Sequence, residues 1–246
     1  MARRSSRSCS SGRGGEPPRP PLDLLRVAVY GGDGRAVVDL LTRHGPGLCL
    51  QWAGQGLLVA LADGVEGATA LAAQTAEALP ERGLRGDEPL AEEIEAALGT
   101  GPMPLRAALP VDLGELATVM DLSPEMGTHL LHRESGELRM RGDSMVTGEP
   151  DEDGWLGDDA WIRIEPREPR EAWWDKASFA ESIEDRAFGE RLLRDLEGRG
   201  AFRCFKNTLF ERPELRERWF AWSEDRELAR ARAFLAEHRL KPALRP

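Results

Sequence analysis

Arg199, Arg203 and Lys206 stand at i, i+4 and i+7. On a helix that spacing gathers three cations on one face. Phe202, Phe205 and Leu209 recur at i, i+3 and i+7 and give the same helix an opposite, apolar stripe to bury. Gly200 lies near the helix start, where backbone N–H groups lack intrahelical partners. Two guanidinium forks, an ammonium and a helix N-terminus are the groups that hold a phosphate or a carboxylate. The anion-binding set read from sequence is therefore Arg199, Arg203 and Lys206. The same residues also fit a solvated face on which the arginines pair with Glu190, Asp195 or Glu197.

Other chemistries find less support. His129 and His132 are three apart in a stretch that reads as a strand, so the pleat sends them to opposite faces and no metal site is expected. Cys9, Cys49 and Cys204 are odd in number and widely spaced, with neither a zinc pattern nor a disulfide framework. Cys204, set among Phe202, Arg203 and Phe205, reads as a small buried thiol. No Gly-x-Ser-x-Gly elbow is present, and no carboxylate pair stands out, so no catalytic residue is named. Residues 26–34 admit two readings. One is a strand feeding a Gly-rich loop, but Val37 occupies the third glycine position of a dinucleotide fingerprint, and a Gly-Lys-Ser/Thr is missing. The other, preferred, is two helices broken at Gly31-Gly32. No cofactor is implied. The acidic stretch 149–159 lacks the spacing of an EF-hand loop and reads as solvated.

The net charge of −10 argues against a general nucleic-acid coat or a protein that coats anionic membranes. No apolar run approaches the ~18 residues of a spanning helix. A cytoplasmic protein with no membrane partner is the expectation. Residues 1–20 are Arg, Ser, Gly and Pro, and read as a disordered tail. Arg3-Arg4 lacks the apolar region that an export signal needs.

The elements that must position these residues follow from periodicity. Between Leu22 and Leu98 the pattern is helical. Asp33 caps a helix carrying Val37, Leu40 and Leu41 and ending near His44. Leu48, Trp52 and Leu58 continue the pattern, then Ala68, Ala72, Thr75 and Leu79, and Asp87 opens a last helix. Residues 101–110 have a Gly/Pro linker composition. Beyond them Asp112 caps a helix, residues 129–140 form a hairpin turning at Ser135-Gly136, and residues 161–164 form another strand. After Pro169 the chain is helical. Pro213 starts a helix with Trp219 and Trp222, and Ser223 is placed as the cap of a final one, with Glu224 and Asp225 in its first turn. The fold class is α+β, mostly helical: an all-helical N-terminal domain (21–100), a linker (101–110), and a C-terminal domain (111–240) with a small antiparallel sheet and about five helices.

The hairpin turn Ser135-Gly136-Glu137, the run Gly198-Arg199-Gly200-Ala201-Phe202-Arg203, and the segment Trp219-Phe220-Ala221-Trp222 together resemble uncharacterised protein family 0158, a set of bacterial proteins. The resemblance spans residues 110–240 and is strongest over 185–235. It departs from the family pattern at Cys204, where an arginine is expected, and at Asn207, where an aspartate is expected. It implies a fold for this part and no activity. The functional expectation is a non-catalytic binding or regulatory module that contacts a protein or a small anion. The alternative is a nucleic-acid-associated protein using the basic helix face, and the third is an enzyme whose site is assembled from distant residues.

Overall fold

The computed structural model describes residues 22–47, 49–122, 127–141 and 159–244. The tail at 1–20, Cys9, Leu48 and nearly all of the acidic stretch 149–159 lie outside them.

Five helices come first: α1 (Leu22–Tyr30), α2 (Gly34–His44), α3 (Leu50–Ala62), α4 (Ala68–Arg82) and α5 (Asp87–Leu98). Residues 26–34 are thus helix, break and helix. Asp33 caps α2 by accepting the Ala36 N–H at 2.9 Å. Helix α3 is the centre of this half: every residue from Leu50 to Ala60 is buried, the mark of a helix enclosed by its neighbours.

Strand β1 (Ala107–Leu109), α6 (Leu113–Met120), the hairpin β2 (Thr128–His132) and β3 (Leu138–Arg141), and β4 (Trp161–Ile164) follow. Asp112 caps α6 by accepting the Glu115 N–H at 2.9 Å. The antiparallel sheet has the order β3-β2-β4 and buries Leu131, Ile162 and Ile164. Gly136 turns the hairpin at φ +72°, and a Cβ there would meet the Pro110 carbonyl oxygen at 2.4 Å.

Among the described residues four more helices follow: α7 (Pro169–Glu181), α8 (Arg186–Asp195), α9 (Ala201–Leu209) and α10 (Pro213–Glu237), ahead of the short strand β5 (Leu240–Pro242). The fold is mostly helical α+β with a three-stranded antiparallel sheet. Two features differ from the sequence reading. Ser223 caps nothing: α10 is one 25-residue helix, and the Ser223 hydroxyl donates to Glu227 Oε1 at 2.7 Å within it. A hydroxyl so satisfied is tolerated in mid-helix, and no glycine or further proline interrupts residues 214–237. Residues 107–109 of the expected linker form β1, which pairs in parallel with β5 and buries Leu109.

The cores explain why α10 stays whole. Trp219 and Trp222 pack edge-on against Phe179 at 5.2 and 5.8 Å, in a cluster with Phe188, Leu192, Phe205 and Leu209 from α8 and α9. Leu228, Ala231 and Leu235, farther along α10, belong to the other core with α1–α6 and the sheet. That core therefore draws on both sides of residues 101–110.

A buried polar network fixes how α10 meets α3 and α5. Arg232 is 1% exposed. Its guanidinium donates to Gln51 Oε1 (3.0 Å), Gln55 Oε1 (2.7 Å) and Glu93 Oε2 (3.3 Å). Two turns earlier, Asp225 accepts the Gln51 backbone N–H at 2.7 Å and pairs with Arg82. Arg82 also holds Asp87 at 2.6 Å. The α4–α5 turn comes close enough to α10 that a Cβ on Gly86 would lie 1.9 Å from the Ala229 carbonyl oxygen. Only glycine fits there.

Because the core crosses residues 101–110, a chain starting at Pro104 is expected to lose cooperative unfolding in urea, with Arg232 left without its partners and Leu228 and Leu235 with only part of their core. A sharp two-state transition in that fragment would show that residues 104–244 fold independently.

Burial pushes the Asp225 carboxyl up to about 6, against the opposing pull of Arg82. A folded-state pKa above the unfolded one adds stability that is complete below about pH 4 and is lost as the pH rises through about 6. The stability of the wild type relative to Asp225→Asn is therefore expected to fall by about 2 kcal/mol between pH 4 and pH 7. Parallel pH profiles from urea melts would contradict this.

Candidate anion-binding site

The three cations singled out by spacing do not form one helix stripe. Gly200 is the N-cap of α9, at φ +72°, so Arg199 sits in the preceding turn. Arg203 and Lys206 are on α9 and exposed, as is Arg199. Among the described residues no ion pair joins Arg199 or Arg203 to Glu190, Asp195 or Glu197. The Lys206 ammonium lies over the Phe210 ring, 5.3 Å from its centre. Of the opposite stripe, Phe205 and Leu209 are buried at 1% exposure each, but Phe202 is 41% exposed, with the Lys176 ammonium 4.1 Å from its ring centre. Cys204, expected to be buried, is exposed, because it falls on the solvent side of α9 beside Arg203.

The histidines do not act as a pair. His132 Nδ1 accepts the Ser135 N–H at 3.1 Å and braces the hairpin turn. His129 is buried, and burial lowers its pKa. Among the described residues no group of three or more His, Cys, Asp or Glu could hold a metal ion, and no helix is long and apolar enough to cross a membrane.

Two large cavities bring distant residues together. The first, about 540 Å³, lies where α1, α3, α6 and α10 meet. Its polar groups answer one another. Arg26 grips Glu224 with two nitrogens, at 2.9 and 2.5 Å, and Trp52 Nε1 donates to the same carboxylate at 2.9 Å. Tyr30 donates to Asp112 Oδ1 at 3.2 Å. Burial, with the Asp112 charge, pushes the Tyr30 hydroxyl up to about 12. These bonds make the cavity a joint between helices.

The second cavity, about 600 Å³, is different in kind. It is a cleft between α7, α10, the loop after β4 and the α4–α5 turn. Three guanidiniums converge there on Asp175, which is 5% exposed. Arg230 Nη1 reaches Asp175 Oδ2 at 2.8 Å, Arg226 Nη1 reaches Oδ1 at 3.3 Å, and Arg167 Nη1 reaches Oδ2 at 3.4 Å. Arg167 also pairs with Asp121 at 2.7 Å. Arg230 Nη2 is buried without any hydrogen-bond acceptor. Three fixed positive charges are thus met by two carboxylates.

Burial, and like charge after it, perturbs the neighbouring cations. Burial lowers the Arg226 pKa; Asp175 opposes it, and the charges of Arg82 and Arg230 add to the lowering. Lys176 is pushed below the usual lysine range, by burial first and by the Arg167 charge second. The remaining walls are Trp174, Phe234, Ala229, Ala233 and Met120, with Glu165, Glu168, Glu171 and Glu237 exposed at the rim. No hydroxyl, thiol or imidazole lines the cleft among the described residues.

Sequence reading passed over all four polar residues. Arg226 and Arg230 did carry a signal: they are four apart on one helix, and neither has a carboxylate four residues away, since Trp222 and Phe234 occupy those places. Nothing in the sequence links them to Asp175, 51 residues upstream of Arg226.

No protein-family model matches the chain, and neither a curated protein nor a solved structure matches it. The resemblance to uncharacterised protein family 0158 rests on its motif residues alone.

Asp175→Asn removes the carboxylate that the three arginines share. It is expected to destabilise the fold by about 3 kcal/mol, the cost of leaving buried charge unpaired. Phosphate should restore more stability to this variant than it adds to the wild type. Urea melts with and without phosphate at matched ionic strength measure both effects, and an Asp175→Asn protein as stable as wild type would refute the role given to Asp175.

Proposed function

We propose that this protein is a non-catalytic binding module for a small anionic ligand, seated against Arg167, Arg226 and Arg230. The observation that carries this reading is the convergence of three guanidiniums on two carboxylates at the wall of a cleft of about 600 Å³, where Arg230 keeps one buried nitrogen without an acceptor. A guanidinium does not lose its proton in the physiological range, so its charge must be answered by an anion or by water. A phosphate or a carboxylate offers two oxygens, a bidentate partner, to the planar fork of a guanidinium. The lining of arginine, carboxylate and apolar groups supports binding over nucleophilic chemistry.

A second reading places a single-stranded nucleic acid on the α9 face. Its support is the interleaving of exposed Arg199, Arg203 and Lys206 with the exposed rings of Phe202 and Phe210. Stacking rings beside backbone-tracking cations are what sequence-tolerant single-strand binding uses.

One experiment separates the two. Thermal shift is measured with inorganic phosphate, and fluorescence titration with a short single-stranded RNA at two salt concentrations. Phosphate is expected to raise the melting temperature of the wild type and of the Arg199→Gln/Arg203→Gln/Lys206→Gln triple variant. Arg226→Gln and Arg230→Gln should each weaken phosphate binding by at least about tenfold, the loss of one charge-assisted hydrogen bond. RNA binding with a steep salt dependence, abolished in the triple variant, would favour the second reading. Phosphate binding that survives both cleft substitutions would remove the first.

A further inference from the structure

The cleft is larger and more varied in its lining than a bare anion needs. We infer that its ligand is a phosphate monoester of a planar ring compound, the chemical class of a nucleoside monophosphate. This rests on the anion-binding reading of the same cleft and adds the body of the ligand to it.

Three observations define that class. The first is the size of the charge surplus. Arg167, Arg226 and Arg230 exceed their partners Asp121 and Asp175 by one charge. One phosphate group of one to two negative charges answers that excess, whereas a triphosphate brings about four. The second is the rim. Glu165, Glu168, Glu171 and Glu237 are all exposed around the mouth. Arg85 offsets one of them, at 3.7 Å from Glu237, and Arg163 another, at 3.2 Å from Glu165. The other rim carboxylates repel further phosphates, so a polyphosphate or a nucleic-acid backbone is disfavoured. The same carboxylates accept hydrogen bonds from hydroxyl or amino groups on a ligand body.

The third is the apolar wall. Trp174 is 52% exposed, unusual for so large an apolar ring, and lies edge-on to Trp173 with centroids 5.2 Å apart. That contact engages the two indoles with each other and leaves Trp174 available to the cleft it lines. Ala229 and Ala233 of α10 contribute only small side chains to the lining, and Phe234 and Met120 add to the apolar surface. A volume of about 600 Å³ is in the range of sites that enclose whole metabolites. A planar ring on Trp174 with its phosphate at Arg226 and Arg230 uses both the apolar and the charged lining of the cleft.

The test is isothermal titration of the full chain at fixed ionic strength, using inorganic phosphate, adenosine monophosphate, uridine monophosphate and adenosine triphosphate as probes. The variants are Trp174→Ala, an exposed position whose loss leaves the core intact, and Arg230→Gln. Tryptophan fluorescence provides a second readout. A nucleoside monophosphate is expected to bind at least tenfold tighter than inorganic phosphate and tighter than the triphosphate, and to quench fluorescence. Trp174→Ala should reduce that affinity to the level of inorganic phosphate while leaving phosphate binding unchanged; Arg230→Gln should weaken both. Equal affinity for phosphate and the monophosphates overturns the inference and leaves the anion reading standing. So does monophosphate binding indifferent to Trp174→Ala. Preference for the triphosphate overturns the argument from the rim. Binding of none of the four probes overturns this inference and the anion reading together.

Discussion

Arg232 is a charged side chain with 1% exposure in the middle of a helical core. Such a charge is tolerated only with its hydrogen bonds completed. Its partners Gln51, Gln55 and Glu93 come from α3 and α5, so α10 has one depth and one rotation at which the guanidinium is satisfied. Asp225, seven residues earlier, lies on the same face of the helix two turns away. It repeats the constraint by accepting the Gln51 N–H and pairing with Arg82. Two polar anchors on one face leave α10 little freedom to roll or slide. What the rest of α10 presents elsewhere follows from that.

One consequence is a sorting of charge onto different faces of the same helix. On the buried side, Arg82 and Arg232 meet three carboxylates: Asp87, Glu93 and Asp225. On the cleft side, Arg167, Arg226 and Arg230 meet two. The buried negative surplus has a remedy within the protein, because a carboxyl can take up a proton, and Asp225 is pushed up to about 6. The positive surplus around Asp175, local because four more carboxylates stand at the rim, has no equivalent remedy, since guanidinium does not deprotonate. It therefore looks outward, to water or to an anion. The two surpluses have the same geometric origin and opposite chemical outcomes.

Helix α10 also carries the second core. Its first half packs Trp219 and Trp222 against Phe179, with Trp219 edge-on to Phe205 at 5.3 Å. This packing sets α7 against α10 and brings Asp175 within reach of Arg226 and Arg230. The cleft thus depends on both cores: one fixes the arginines and the other delivers the carboxylate. Helix α9 is held through Phe205 and Leu209 on the far side of that cluster, which leaves Arg203, Cys204 and Lys206 to solvent.

Sequence by itself determined what repeats locally. Asp33 and Asp112 announce helix starts because a short carboxylate can accept a backbone N–H three residues on. The apolar periods of residues 50–61 and 186–209, and the Ser135-Gly136 turn, are legible because helix and hairpin geometry relate residues only a few positions apart. The mostly helical α+β class follows from these. Where two local rules competed, sequence misled: Ser223 can cap a helix or ride within one, and burial on either side of it chose the second. The Phe202 position failed for a related reason, since periodicity names a face but not whether a neighbour covers all of it. The parallel β1–β5 pair, the Arg232 network and the convergence of Arg167, Arg226 and Arg230 on Asp175 were decided by tertiary structure alone. Each joins segments tens of residues apart or more, through contacts that exist only after helices have packed. Hydrogen bonds and ion pairs of that kind leave no period in the chain, because either partner alone is an ordinary surface residue type.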